Sequence, residues 1–138
     1  MDELDSLKND LGSKRSQLRA KEQEKANYLS VASDIKSVYK KMADEKAAMK
    51  NYHSGIKSFS NEHFDIFVGK LYASEYKPRI KQVVEDYQKV ISAIDTNMDR
   101  LNTEMARMEN MAYKCDGVIG YLRSAINSLV HTIENWTN

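Results

Sequence analysis

Apolar residues recur at alternating steps of four and three through the second half of this chain, and the register never slips between Ile80 and Trp136. This heptad alternation keeps one apolar stripe on the same face of an α-helix. A continuous helix over this span would be roughly 85 Å long, more than a compact domain of this size could bury. The pattern therefore predicts a long helix in an extended coiled coil or bundle. The stripe, which we call the seam of the second helix, consists of Ile80, Val84, Tyr87, Ile91, Ile94, Met98, Leu101, Met105, Met108, Ala112, Cys115, Ile119, Leu122, Ile126, Leu129, Ile133 and Trp136.

The first half carries the same rhythm less perfectly. Lysine or histidine occupies several of its seam positions, and such residues lower stability but restrict the register and the partner that fit. An alternative is that the lysines extend their ammonium groups to solvent at a loosely packed end. The apolar seam residues are Leu4, Leu7, Leu11, Leu18, Tyr28, Ala32, Ile35, Tyr39, Met42, Met49 and Ile56, and the polar ones are Lys14, Lys21, Lys25, Lys46 and His53.

Composition agrees with an all-helical chain. Among 138 residues there are only 5 Gly and 1 Pro, and 30% are charged, with a mean hydropathy of −0.65. The chain has too few turn-forming residues for a sandwich or barrel. Its 21 basic and 20 acidic residues are mixed along the sequence, which does not favour nucleic-acid binding.

We predict an elongated antiparallel helical hairpin in one domain, residues 1–138. One helix covers about residues 3–56, a connection about 57–77, and a second helix about 78–136. Two helices bury one seam, yet the apolar stripe is wider than one seam, so further helices from another copy or another protein are expected to cover its flank. The flanking residues are Val31 and Val38 in the first helix, and Val83, Val90, Met111, Val118 and Ala125 in the second.

Two glycines interrupt the second helix at Gly117 and Gly120, each at a cost of about 1 kcal/mol relative to alanine. The register continues through them, which favours a bend or a close helix approach. A separate C-terminal helix from Tyr121 to Trp136 is the alternative.

The connection holds all three phenylalanines and the sequence Phe67-Val68-Gly69, followed by Ala73 and Tyr76. This aromatic-x-Gly turn resembles that of the WxG family, small helical proteins of the type VII (ESX) secretion system. The length, the acidic start and the helical tail are similar to the YwqH-like accessory proteins encoded beside LXG toxins. The alternative for Phe67-Val68-Gly69 is an ordinary hairpin connection with buried aromatics.

The resemblance implies that Phe67, Gly69, Ala73 and Tyr76 form the turn between the helices. Phe67 stands where the family has tryptophan, so the indole N–H donor is lost. The family's C-terminal export signal, a tyrosine followed four residues later by an acidic residue, is also absent, because Tyr113 and Tyr121 are followed at that distance by Gly117 and Ala125. A second small helical partner is therefore expected to supply that signal.

Catalytic, cofactor and metal sites find no support. The histidines His53, His63 and His131 lack the spacing of a metal site, and Cys115 lies on the apolar seam, where a small buried residue is expected. A single cysteine cannot form an internal disulfide, and neither a signal peptide nor a membrane span is expected.

The resulting hypothesis is a non-enzymatic, chaperone-like partner of an LXG-type toxin. It would bind the toxin's N-terminal helices in the bacterial cytoplasm for export by type VII secretion, with co-export of this chain left open. Val31, Val38, Met111 and Val118 are the expected partner-binding residues. The alternative is a self-associating coiled-coil scaffold or adaptor unrelated to secretion.

Overall fold

The computed structural model describes residues 2–61 and 76–137 and contains two long α-helices packed against each other. Helix α1 runs from Glu3 to Asn61, and helix α2 runs from Lys77 to Thr137. The predicted all-α helical hairpin is confirmed. Phe67, Gly69 and Ala73, the proposed turn residues, lie outside the described residues.

Both helices begin with residues suited to a helix N-terminus. The backbone N–H of Asp5 donates to Oδ1 of Asp2 at 2.8 Å, so Asp2 caps α1 by satisfying one of the free N–H groups of its first turn. Glu3 and Asp5 add negative charge where the helix dipole favours it. Pro78 lies in the first turn of α2, where a missing N–H costs little.

The helices are more continuous than the sequence suggested. Helix α1 includes residues 57–61, which we had expected in the connection, and α2 passes through Gly117 and Gly120 without a break. A separate C-terminal helix is therefore excluded. Of the two features expected here, a bend or a close helix approach, the close approach is wrong, since a Cβ added at either glycine would meet nothing within 4 Å.

The chain divides into two units, each containing part of both helices. Unit 1 comprises Met1–Asp34 and Glu104–Asn138. Within it, Glu22 accepts from Arg123 at 3.1 Å and Lys25 contacts Asp116 at 2.5 Å. From the first pair to the second, the residue number rises in α1 and falls in α2, so the two helices run antiparallel. The buried apolar side chains of unit 1 are Ala32, Met108, Ala112, Cys115, Ile119 and Leu122.

Unit 2 comprises Ile35–Thr103. Its described part is joined across the helices by the ion pair of Lys46 with Asp95. Ile91 and Met98 are buried in this unit, and Ile35, Tyr39, Met42 and Met49 are half-buried.

The heptad pattern agrees with the pattern of burial. Every seam residue of α2 is buried or half-buried except Trp136, which is exposed near the end of the helix. The seam lysines of α1 are half-buried, and Lys25 and Lys46 reach carboxylates of α2. Lys14 and Lys21 instead pair with Asp10 and Glu24 of α1. The stems cover apolar surface while the ammonium groups reach the helix flanks, as long cationic side chains commonly do.

Candidate protein-interaction surface

The two flanks of the seam differ in chemistry, and the heptad positions explain why. In an antiparallel pair of helices, the residues that directly follow a seam residue lie on one side of the pair in both helices. The residues that directly precede a seam residue lie on the other side. Glu22 and Arg123 occupy the same flanking position in their helices, directly after a seam residue, and they meet in an ion pair. On the opposite flank, the residues that directly precede seam residues of the two helices therefore lie side by side.

One flank of unit 1 is therefore polar, and we call it the ion-paired edge. It is defined by Glu22 with Arg123 and by Lys25 with Asp116. Leu29 is also exposed on this side, within one heptad of both ion pairs. Such exposed pairs contribute little stability, about 0–1 kcal/mol each, but they favour one register of the helices.

The opposite flank of unit 1 is apolar, and we call it the apolar edge. It is formed by Val31 of α1 and by Met111, Val118 and Ala125 of α2, each of which directly precedes a seam residue. The pair Lys25 with Asp116 sets the register. Six residues after Lys25, Val31 lies opposite about residue 110 of α2, beside Met111.

Exposure of the apolar edge is uneven. Val31 is 43% exposed and Val118 is 42% exposed, whereas Met111 and Ala125 are half-buried. The expected exposure of the flank is thus observed for the two valines. Whether these residues bind a partner remains a prediction.

In unit 2 the same flanking position holds Val38 in α1 and Val83 and Val90 in α2, all exposed. The pair Lys46 with Asp95 sets the register here. It places Val38 opposite about residue 103, away from the two valines of α2. The structure therefore does not bring Val38 together with them. Tyr52, 62% exposed, lies opposite about residue 89, beside Val90, and the sequence analysis had missed it.

Glu24 and Glu104 lie on the same flank of unit 1 as the apolar edge, and each forms an ion pair with a cation of its own helix. Lys21 Nζ donates to Glu24 at 2.8 Å, and Tyr28 donates to the same carboxylate at 3.4 Å. Arg107 donates to Glu104 at 2.5 Å. These hydrogen bonds, above all other effects, hold the pKa of Glu24 and of Glu104 below the ordinary value, and they raise the pKa of Lys21 and of Arg107.

Lys114 and Tyr121 extend the apolar edge on α2 and were not among the predicted partner-binding residues. Lys114 is exposed, and Tyr121 is 66% exposed. Together with Met111, Val118 and Ala125 they repeat at steps of three and four, which is a second heptad stripe. This spacing is present in the sequence, but the stripe was not predicted because the charged Lys114 stands among its apolar residues.

The remaining predicted residues carry no site chemistry in the structure. Tyr76 is 48% exposed directly before α2. Cys115 is buried, at 4% exposure, which is consistent with a packing role. Among the described residues no three metal-binding side chains cluster. Within the same residues, neither helix has a stretch apolar enough to cross a membrane.

The fold and the surface define an all-α hairpin with an apolar edge in unit 1. No family model matches the chain, and neither a curated protein nor a solved structure matches it.

Proposed function

We propose that this chain is a chaperone-like accessory partner of an LXG-type toxin, whose N-terminal helical domain it binds for export by the type VII secretion system. The observation that carries the binding role is the apolar edge of unit 1, where Val31 and Val118 remain more than 40% exposed. The toxin and the secretion route rest on the resemblance of Phe67-Val68-Gly69 and its surroundings to the WxG and YwqH-like families.

The mechanism is shared burial of apolar surface. Full burial of a valine contributes about 1.5 kcal/mol or more relative to full exposure. Because Val31 and Val118 are already more than half covered, each would add somewhat under 1 kcal/mol when a partner helix covers it. The contribution is modest for each residue, so affinity must come from a row of such contacts along a helix.

A helical toxin domain would in turn need a partner that covers its own apolar surface. Its own apolar stripes favour aggregation before export, and a hairpin that covers them keeps the domain folded by binding only its folded state. Because the Tyr-x-x-x-acidic export signal is missing here, a second small helical protein would supply the export signal in the assembled complex.

Co-expression tests this function directly. The full chain carries an affinity tag and is produced with the N-terminal helical domain of the LXG-type toxin encoded beside it. The matched control is the same toxin's C-terminal domain. We expect the helical domain to co-purify in a fixed ratio and the C-terminal domain to be absent. A neighbourhood without such a toxin, or a chain that ignores the helical domain, would contradict the proposal.

A further inference from the structure

Three seam residues of α1 are basic at the same heptad position, and two of them pair with an aspartate of α2. Lys25 contacts Asp116 in unit 1, and Lys46 contacts Asp95 in unit 2. In each pair the aspartate directly follows a seam residue of α2. A carboxylate in that place balances the charge of a cation at the seam.

His53 is the third basic residue of this set, and no carboxylate stands in the corresponding place. It lies one heptad after Lys46 on α1. Because the helices are antiparallel, the matching position on α2 lies one heptad before Asp95, and it is Gln88. His53 is half-buried, and it forms no hydrogen bond or ion pair within the described part of the chain. A neutral amide therefore stands where Lys46 has a carboxylate.

The charged residues around His53 do not balance a proton on its ring. On α1, Lys50 and Lys57 lie three and four positions away, one turn before and one turn after His53. On α2, the facing seam residue is Tyr87, and a phenol is uncharged near neutral pH. The other ionisable residues of the facing stretch lie at heptad positions turned away from α1 and are exposed: they are Glu85, Asp86 and Lys89.

A histidine differs from a lysine at such a position, because its charge cannot move far. The four-carbon stem of lysine lets the ammonium reach the helix flank while the stem covers apolar surface. Lys46 does this when it reaches Asp95. An imidazole ring is attached one carbon from the backbone, so a proton on the ring leaves its charge near the seam. The seam position of His53 is therefore suited to a neutral ring.

We propose that His53 makes unit 2 sensitive to mild acid, because the seam accommodates the neutral ring and disfavours the protonated one. An imidazole takes up its proton between about pH 7 and about pH 5. The proton adds a positive charge beside Lys50 and Lys57, at a half-buried position without a carboxylate. The helices around His53 then separate more readily. This device needs no partner, so it goes beyond the proposed function.

The direction of the pH dependence follows from linkage. The folded chain disfavours the proton on His53, whereas the unfolded chain exposes the ring to water and accepts it. The stabilisation that the neutral ring allows is therefore complete above about pH 7 and is lost as pH falls through the range in which imidazole is protonated. A lysine at the same position would stay charged throughout this range and show no such change.

Thermal unfolding of the full chain at about pH 7.5 and about pH 5.5 tests the inference. We expect the midpoint to be about 3 °C lower at the acidic pH. His53→Gln removes the titrating group and should lose most of this fall. His131→Gln is the matched control and should keep it, because His131 is exposed and lies 3.5 Å from Glu134. Each chain is compared with itself at the two pH values, so a general change in stability does not affect the result.

Gln88→Glu is the sharper test. It places a carboxylate opposite His53, in the place that an aspartate holds for Lys46, so a proton on the ring gains a partner. The fall in midpoint on acidification should disappear or reverse. Asn102→Glu is its matched control, because Asn102 also directly follows a seam residue of α2 in unit 2 but lies opposite Tyr39. This control should keep the fall.

Hydrogen exchange locates the effect within the chain. In the unmodified chain, amide protection corrected for the intrinsic pH dependence of exchange should fall at about pH 5.5 in the helical turns on either side of His53 and Gln88. It should stay unchanged between Met108 and Leu122, where the seam of unit 1 is buried.

Four results would contradict the inference. The midpoint of the unmodified chain does not change between the two pH values, or its fall persists in His53→Gln. The Gln88→Glu chain falls as much as the unmodified chain. Amide protection is lost equally in both units, which would exclude a local effect of His53.

Discussion

The two helices share one heptad rhythm but contribute unequally to the core. Among the described residues, Ala32 is the one buried apolar residue on α1, whereas α2 provides Ile91, Met98, Met108, Ala112, Cys115, Ile119 and Leu122. The reason lies in the seam of α1, where lysine or histidine replaces apolar residues at several positions. The difference indicates that α2 supplies most of the packing, and that the ion pairs of α1 restrict the register.

The largest loss of stability should come from truncating a buried side chain in the seam of α2. Leu122 is 3% exposed, so Leu122→Ala removes fully packed methyl groups and should lower the free energy of unfolding by about 3 kcal/mol. Leu18→Ala, at a half-buried seam position of α1, should cost about 1 kcal/mol. Urea unfolding followed by circular dichroism measures both. Equal losses would show that the two helices carry the core equally.

Replacing the glycines of α2 should stabilise the chain instead. It should therefore increase the difference between the contributions of α2 and α1 to stability. Gly117→Ala and Gly120→Ala meet open space, and each should raise the free energy of unfolding by about 1 kcal/mol. Gly12→Ala is the matched control in α1, where an added Cβ also meets open space. Destabilisation at Gly117 or Gly120 alone would reveal a local requirement for glycine in α2.

Replacing a seam lysine should make α1 more like α2. Lys46→Leu exchanges the ion pair with Asp95 for an apolar seam contact and should stabilise the hairpin by about 1 kcal/mol. It should also relax the register, which would appear as self-association in sedimentation velocity. A lower thermal midpoint without self-association would mean that the ion pair outweighs the apolar contact.

The smallest expected effect is the response to acid. Since the pKa of Glu24 and of Glu104 is depressed in the folded chain, their contribution is complete above the ordinary carboxyl pKa and is lost as pH falls through the depressed values. Both side chains are more than 40% exposed to solvent, so the change should be slight. Thermal midpoints between pH 7 and about pH 3 should fall less in a Glu24→Gln, Glu104→Gln chain. An identical fall in both chains would exclude these two groups as a cause.

Much of the fold was readable from the sequence because heptad spacing determines which side chains face the partner helix. The seam residues and the exposed valines follow from that spacing alone. Other features depend on three-dimensional register. The pairing of Glu22 with Arg123 and the separation of Val38 from Val90 required knowing which residues lie opposite one another.

The central claim is that the hairpin leaves an apolar edge for a helix of another protein. Native mass spectrometry of the purified chain, alone and with the toxin's N-terminal helical domain, tests it most directly. We predict a monomeric chain that becomes a stoichiometric heteromeric complex when the domain is added. A stable homo-oligomer that persists unchanged in the presence of the domain would contradict the claim and favour the self-associating scaffold.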